Sequence, residues 1–388
     1  MEAGLVNQMN SDLIVCVRAA LSNEVACSEV ENCISLAYRH GVMNLLYYAV
    51  RKMPKDQQPD ERTMRMLKQN TYACIVREAR QSQILHELFK LFEQRRIRCV
   101  PLKGAVLKEL YPKPEMRNMS DIDLLIDGKQ AKDVRGCFEE LGCTMTKYDM
   151  GDTDQYLTPE GLNFEVKKTL VAESFNEATK QFTGKLLSFA VPIDGHQYIC
   201  RLPNEEHYAY LLCHIVKHLI NGGVGIRPIM DLWICNERMH LDREKLNSLL
   251  SKLDLNDFAQ KVEHLANVWF GHEIATQLDH ELGDYLLESG AFGTHEQRVV
   301  DRMLKEKKGN RFIYTLKRLF PPYKRMRRYF PSLKYCPILL PFYWIWRWIR
   351  AILFRRKAIA AEMETIERTD FEKLHARAEF YHRCGLNI

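Results

Sequence analysis

The sequence predicts an α+β protein in which a run of short strands lies between two helical regions. Up to about residue 96, apolar residues recur at three- and four-residue spacing, the period of an amphipathic helix. From residue 97 short apolar runs alternate with turn residues, and from residue 204 the helical period returns. We therefore expect four segments: a helical region at 1–96, an α/β core at 97–203, a helical domain at 204–306, and a basic aromatic segment with a final helix at 307–388.

The same patterns predict individual elements. A break between two prolines at 54–59 ends the first helices, and one long helix follows from 60 to 96. Two helices, at 104–110 and 128–141, are expected inside the α/β core. The expected strands are 97–102, 120–126, 144–148, 156–158, 162–168 and 190–202.

Charge is distributed unevenly along the chain. The net charge is +6, yet residues 307–357 contain fifteen Lys and Arg, thirteen aromatic residues and no Asp or Glu. Of the 56 basic and 50 acidic residues, the rest of the chain therefore holds 41 and 50, a net charge of −9. One basic aromatic segment on an acidic body indicates a local docking surface, and it argues against nucleic-acid binding over the whole protein.

Cysteine usage and the first residues indicate a reducing compartment. The twelve cysteines are scattered, with no Cys-x-x-Cys pair and no clustering. This distribution argues against a structural zinc site and a disulfide scaffold. The first ten residues have neither the basic nor the apolar stretch of a secretory signal, so we expect a cytoplasmic protein.

The most informative motif is a pair of aspartates. Residues 117–126 read RNMSDIDLLI, and the apolar residues around the pair indicate a buried strand, on which residues two apart face the same side. Asp121 and Asp123 would then be adjacent carboxylates, which is costly unless a cation lies between them. Oxygen ligands without soft donors favour Mg²⁺ or Mn²⁺. Alone, an Asp-x-Asp pair is a weak signal, because solvated turns and glycosyltransferases also contain it.

Two further features accompany the aspartates. Lys103 and Gly104 lie where a strand enters a helix, so glycine would allow close approach of a ligand, helix amides could bind phosphate, and the lysine adds positive charge. Glu165, in another strand-like run, would supply the third carboxylate that two-metal phosphoryl transfer needs. A turn glycine and an exposed acid are the structural alternatives, but jointly the features favour a catalytic site.

This combination resembles the polymerase-β-like nucleotidyltransferase superfamily. It is most similar to an uncharacterised nucleotidyltransferase family whose members read Leu-Lys-Gly followed by Arg-x-x-x-Asp-Ile-Asp. The resemblance covers residues 97–358, including HIVKH at 214–218, RPIMDL at 227–232, LFP at 319–321 and LLP at 339–341. It implies a polymerase-β-like α/β core with a mixed sheet, and transfer of NMP from an NTP to an acceptor with release of pyrophosphate.

By this resemblance Asp121, Asp123 and Glu165 bind two Mg²⁺ ions and carry catalysis, with Glu165 also drawing the proton from the acceptor hydroxyl. The chain departs from the family patterns at two places. Gly104 is followed by Ala105 where the superfamily has serine, and Lys167 replaces the histidine of a Glu-x-His motif. The expected nucleotide-binding residues are Lys103, Gly104, Arg117, Ser120, Lys217 and His218.

Several of these residues allow more than one role. Arg117 could contact phosphate or pair with Asp121. Lys217 or His218 could reach the phosphates from the helical domain; zinc binding by His207, His214 and His218 is disfavoured because no further ligand motif accompanies them.

Another acid, Asp231, is interpreted as structural. It lies beside Trp233, one helical turn after Arg227, and we expect a buried ion pair between Asp231 and Arg227.

Residues 335–357 are a candidate membrane-contact segment. The apolar run is long enough to cross a bilayer, but prolines and arginines interrupt it, and an arginine at the centre of a spanning helix costs about 3 kcal/mol. No transmembrane span is therefore expected. As a helix, the segment would separate basic from apolar residues and could contact an anionic membrane. It could equally pack on the protein and guide an anionic acceptor with its basic face.

The sequence therefore predicts a metal-dependent nucleotidyltransferase with ATP as the default donor. A small-molecule or peptide acceptor is favoured over nucleic acid, because no RNA-binding motif is present. One alternative is a non-catalytic nucleotide-binding or membrane-docking module, suggested by the missing serine. A metal-dependent glycosyltransferase is another, but it would need a larger nucleotide-binding sheet before the Asp-x-Asp motif.

Overall fold

A computed structural model describes residues 2–25, 29–148, 151–171, 174–291, 293–305, 311–354 and 356–387. Within these residues the chain forms mainly helices and a five-stranded mixed sheet, in agreement with the predicted α+β class. The chain divides into two compact units, residues 1–217 with 224–291, and residues 218–223 with 292–388. The four predicted segments stay a prediction.

The first unit begins with helices. They are α1 Glu2–Ser22, α2 Val30–His40, α3 Met43–Val50 and α4 Glu61–Gln94. The last of them is the long helix predicted at 60–96. Asp60 caps its first turn by accepting a hydrogen bond from the amide of Thr63. Leu85, Leu88 and Phe92, near the end of α4, are buried in the core beneath the sheet.

The sheet has the spatial order β1-β2-β5-β4-β3, in which β2 and β5 are parallel and the other neighbours antiparallel. Five predicted strands are confirmed, although the fourth begins earlier than predicted. The predicted strand at 190–202 is wrong, because only the two-residue strands β6 Val191–Pro192 and β7 Cys200–Arg201 pair there, on either side of a turn. The sheet strands are β1 Cys99–Pro101, β2 Asp121–Ile126, β3 Thr144–Lys147, β4 Thr153–Leu157 and β5 Asn163–Lys167.

Short helices connect the strands. The predicted helix at 104–110 is only α5 Gly104–Leu107, followed by a 3₁₀ turn, whereas that at 128–141 corresponds to α6 Ala131–Glu140. The helix α7 Glu177–Phe189 is not predicted from the sequence. It begins with a capping box, in which the side chains of Asn176 and Thr179 each accept a hydrogen bond from the backbone amide of the other.

The two faces of the sheet differ in chemistry because side chains alternate along each strand. One face packs on aromatic and aliphatic side chains, where Phe138 of α6 stacks on Tyr156 at a centroid distance of 4.0 Å and meets Phe164 edge-on at 5.1 Å. Ile122, Leu124 and Val166 belong to the same buried cluster. The intervening residues of β2 and β5 therefore project from the other face.

Helices complete both units. The first continues with α8 Asn204–Leu219, whose last two residues are assigned to the second unit, and with α9 Arg227–Arg238, α10 Arg243–Leu253, α11 Asn256–Phe270 and α12 Gln277–Ser289. The second contains α13 His295–Lys305, α14 Arg311–Leu319, α15 Tyr323–Tyr329, α16 Leu340–Phe354, α17 Arg356–Arg368 and α18 Phe371–Arg383. In the described part of the chain, no helix combines the length and the apolar character needed to span a bilayer.

Candidate metal and nucleotide site

Three carboxylates meet on the face of the sheet that points away from the aromatic core. Asp121 and Asp123 lie two residues apart on β2, and the parallel register places Asp123 opposite Glu165 on β5. One oxygen atom of each carboxylate lies within 4.8 Å of the others. Asp123 is buried, at 5% exposure, whereas Asp121 and Glu165 are half-buried. The fold thus brings the three predicted acids together.

Two lysines lie among these acids. The Nζ atom of Lys103 is 3.1 Å from Oδ2 of Asp123, and the Nζ atom of Lys167 is 3.1 Å from Oδ1 of Asp123 and 3.0 Å from Oε2 of Glu165. Sequence reasoning treats a bound cation as the source of positive charge here, and it notes Lys167 only as a departure from a family motif. The sequence does contain a signal for the position of Lys167. It lies two residues after Glu165 on one strand, and residues two apart on a strand face the same side.

Polar neighbours orient the outer two carboxylates. The Gln155 side chain on β4 donates a hydrogen bond to Oε1 of Glu165 over 3.1 Å. The Ser120 hydroxyl donates to Oδ1 of Asp121 over 2.9 Å. The sequence predicts that Ser120 contacts the nucleotide, and the fold places its hydroxyl at the carboxylate cluster. Gln155 is another residue that sequence reasoning misses, because only the pairing of β4 with β5 brings it to Glu165.

The two aspartates differ in their protonation behaviour. Burial and the adjacent Asp123 carboxylate raise the pKa of Asp121 above its ordinary value. Burial would also raise the pKa of Asp123, but the positive charges of Lys103 and Lys167, with a contribution from His214 on α8, outweigh it and lower this pKa. Asp123 is therefore an anion over a wider pH range than its neighbour. A cation bound between the two carboxylates would stabilise both charges.

The turn before α5 presents Lys103 to the site in an unusual backbone conformation. Lys103 has φ 51° and ψ −127°, which is glycine-like and costs a residue with a side chain on the order of 1–3 kcal/mol. Hydrogen bonds hold the turn, from the Leu102 amide to the Asp123 carbonyl over 3.0 Å and from the Ala105 amide to the Leu102 carbonyl over 3.2 Å. The conformation brings the Lys103 ammonium group to Asp123.

The side chains of Met119 and Arg117 limit the space at Gly104. A Cβ atom at this position would lie 2.6 Å from the sulfur of Met119 and 3.5 Å from Cζ of Arg117. The sequence-based expectation was that the amides after Gly104 face phosphate. In the structure the amides of Ala105 and Val106 donate to the carbonyls of Leu102 and Lys103. The turn and the single helical turn of α5 use these amides internally, and contact of this segment with phosphate stays a prediction.

Arg117 forms a buried ion pair close to the turn that contains Lys103 and Gly104. Its Nε and Nη2 atoms donate to the two carboxylate oxygens of Asp231 on α9 over 2.6 and 2.8 Å, and the Tyr111 hydroxyl donates to the same carboxylate over 2.7 Å. The predicted pairing of Asp231 with Arg227 is therefore wrong. Arg227 instead donates to the carbonyl of Asn118, over 3.1 Å. A partner 114 positions away in the sequence has no local signature.

The remaining predicted residues lie on α8. His214 is close enough for its charge to lower the pKa of Asp123. Lys217 and His218 follow on the same helix, and their contact with a nucleotide stays a prediction. Among the residues that the structure describes, the carboxylate triad is the one group of His, Cys, Asp or Glu that is close enough to hold a metal ion.

The donor set of the triad fits a hard divalent cation. All three ligands are carboxylate oxygens, which suit Mg²⁺ and Mn²⁺ better than they suit soft metals. The Oδ1 atom of Asp123 is also buried and accepts no hydrogen bond of good geometry, although the Lys167 ammonium group lies near it. An oxygen in this position can accept a metal ion without giving up a hydrogen bond, although the ammonium group of Lys167 competes with the metal for it.

Comparison with known protein families agrees with this chemistry. The model of a family described as uncharacterised nucleotidyltransferases matches residues 27–271, which is more than half of the chain. The chain belongs to this family. No curated protein and no solved structure matches the chain significantly.

The family model and the resemblance based on motifs cover different parts of the chain. The family model starts at residue 27 and so includes α2, α3 and α4, which sequence reasoning matched only as helical. It ends at residue 271, after α11, so the basic aromatic segment lies outside it. The matched range contains all three carboxylates and both lysines of the site.

The ion pair of Arg117 with Asp231 provides a stability prediction. Asp231→Ala should lower the free energy of unfolding by about 3–5 kcal/mol, because it leaves the buried guanidinium without its carboxylate partner. Urea unfolding followed by circular dichroism measures the loss. The matched control is Glu139→Ala, which breaks an exposed pair with Arg135 and should leave the free energy of unfolding close to that of the wild type. Similar losses in the two variants would contradict the structural role of the buried pair.

Proposed function

We propose that the chain transfers a nucleoside monophosphate from an NTP to an acceptor hydroxyl and releases pyrophosphate. The observation that carries the proposal is the triad of carboxylates on two adjacent parallel strands, in a chain that belongs to a nucleotidyltransferase family. We further propose that the five-stranded sheet is a polymerase-β-like core. ATP is the proposed donor, a small molecule or peptide the proposed acceptor, and the cytoplasm the proposed location.

The proposed metal ligands are Asp121, Asp123 and Glu165, with two Mg²⁺ ions, or Mn²⁺, as the cofactor. When bound, the metal would neutralise the charge that develops on the triphosphate as pyrophosphate leaves. The carboxylates contribute by their fixed geometry. The strand register holds Asp123 opposite Glu165, and the hydrogen bond from Ser120 orients Asp121.

The reaction requires one proton acceptor. The acceptor oxygen forms a bond to the α-phosphorus while the bond from that phosphorus to the bridging oxygen breaks, and the electron pair of that bond leaves with pyrophosphate. We assign the hydroxyl proton to Glu165, which is half-buried and held by Gln155 and Lys167. This side chain is more exposed than that of Asp123, at 24% against 6%.

Lys103 and Lys167 are the proposed phosphate ligands. Both ammonium groups lie at the carboxylate cluster, so a triphosphate bound there would meet two positive charges. These lysines compensate for the serine that the superfamily has after glycine. Arg117 acts indirectly in this proposal, by supporting the turn that contains Lys103 through its pair with Asp231.

Glycosyl transfer is less well supported. It was expected to need a larger nucleotide-binding sheet before the Asp-x-Asp motif. Among the described residues before β2, the strand that joins the sheet is β1, and it is three residues long. Helices precede it.

The direct test is pyrophosphate release from each NTP in the presence of a panel of acceptors. Asp123→Asn should lower the rate at least about 100-fold, because it removes the most buried carboxylate of the site. Glu160→Gln, at an exposed acid in the turn between β4 and β5, is the matched control and should retain the wild-type rate. A folded Asp123→Asn protein with full activity would contradict the proposal. Magnesium-dependent NTP binding without pyrophosphate release would indicate a non-catalytic module.

The lysine contacts give a second prediction. Lys167→Met should increase the affinity for Mn²⁺ in the absence of nucleotide by about tenfold, because it removes an ammonium group that competes for Asp123 and Glu165. Titration of free Mn²⁺ by electron paramagnetic resonance measures this affinity. Lys129→Met removes the same charge from an exposed turn after β2 and should leave the affinity unchanged. Weaker Mn²⁺ binding by Lys167→Met would show that the lysine supports the metal site.

A further inference from the structure

The outer face of α16 is a continuous apolar surface exposed to solvent. Large apolar side chains recur along the helix at one-, three- and four-residue spacing and are between 47% and 69% exposed. Exposed apolar patches of this kind mark interaction sites more often than ordinary surface. The side chains of the patch are Phe342, Ile345, Trp346, Ile349, Ile352 and Leu353.

The opposite face of α16 is anchored to the second unit of the chain. The indole nitrogens of Trp344 and Trp348 donate hydrogen bonds to the carbonyls of Pro321 and Leu319 over 3.0 and 2.9 Å. The ring of Phe320 meets both indoles edge-on, at 5.2 and 5.1 Å. These contacts fix the rotation of the helix about its axis, so the apolar face is held outward. In the described residues the helix therefore packs on the protein through this tryptophan face, while its apolar face stays exposed; guidance of an anionic acceptor by its basic residues stays a prediction.

Positive charge is concentrated in α16 and in the segments next to it in the chain. Residues 307–357 contain fifteen Lys and Arg and no Asp or Glu. Exposed basic side chains lie on α16 itself, at Arg350, and on the neighbouring segments, at Lys324, Arg325, Lys334 and Arg356. A second copy of this chain would bring like charges together at such a surface. The positive charge of this surface is complementary to an anionic surface.

We propose that α16 lies in the interfacial region of an anionic membrane. Its apolar face would enter the boundary between headgroups and acyl chains, and the neighbouring lysines and arginines would contact lipid phosphates and carboxylates. A 15-residue helix is about 22 Å long, which suits a position parallel to the membrane plane. Trp346, which is part of the exposed face, has the amphipathic ring that is enriched at this depth. The inference uses no residue of the proposed catalytic site.

The test is sedimentation of the full-length chain with vesicles of phosphatidylcholine alone or mixed with phosphatidylserine. The wild type should bind the mixed vesicles, bind more weakly as salt increases, and show a blue shift of tryptophan emission. The double variant Ile345→Ser/Ile349→Ser should bind at least about tenfold more weakly, because it removes apolar surface that enters the lipid. Ile274→Ser, at an apolar residue of the first unit that is 88% exposed, is the control and should bind like the wild type.

Three outcomes would overturn the inference. One is a wild-type chain that stays in solution with both kinds of vesicle. Another is equal vesicle binding by the double variant and the wild type. The third is a wild-type dimer in sedimentation velocity that becomes a monomer in the double variant without any vesicle binding, since this would make the face an interface between copies of the chain.

Discussion

The candidate site depends on the parallel pairing of β2 with β5. This register places Asp123 directly opposite Glu165, and strand alternation adds Asp121 and Lys167 to the same face. A slip of one residue would turn the charged side chains into the aromatic cluster and bring the apolar residues between them to the site. The packing of Phe164 and Val166 in the core therefore stabilises the sheet, and it also fixes the position of the candidate catalytic carboxylates.

The charge balance of the site follows from this geometry. Three carboxylates face two ammonium groups, and Asp123, the most buried acid, contacts both lysines. The inference that a bound cation supplies the positive charge between the aspartates is therefore incomplete, because the chain provides part of that charge itself. Lys103 and Lys167 lower the pKa of Asp123, whereas Asp121 has a raised pKa. Such unequal environments distinguish the roles of otherwise similar acids.

The sequence was informative where the signal is local. The two-residue spacing of the aspartates, the 3.6-residue period of α4 and the alternation around Glu165 each predict an observed element or position. The predictions that were wrong or missing mostly involve contacts between segments that are far apart in the sequence. Asp231 pairs with Arg117, 114 positions away in the sequence, rather than with Arg227 one helical turn earlier. Gln155 reaches Glu165 only through the pairing of β4 with β5, and α7 was missed because a capping box is a short polar signal.

The proposed activity requires the carboxylate cluster to bind divalent metal together with a nucleotide. Crystals of the chain soaked with Mn²⁺ and a non-hydrolysable ATP analogue, with anomalous diffraction to locate the metal, would test this binding. We expect anomalous peaks at coordination distance, about 2 Å, from oxygens of Asp121 and Asp123, with the triphosphate close to Lys103 and Lys167. Bound nucleotide with no anomalous peak at these aspartates would contradict this expectation.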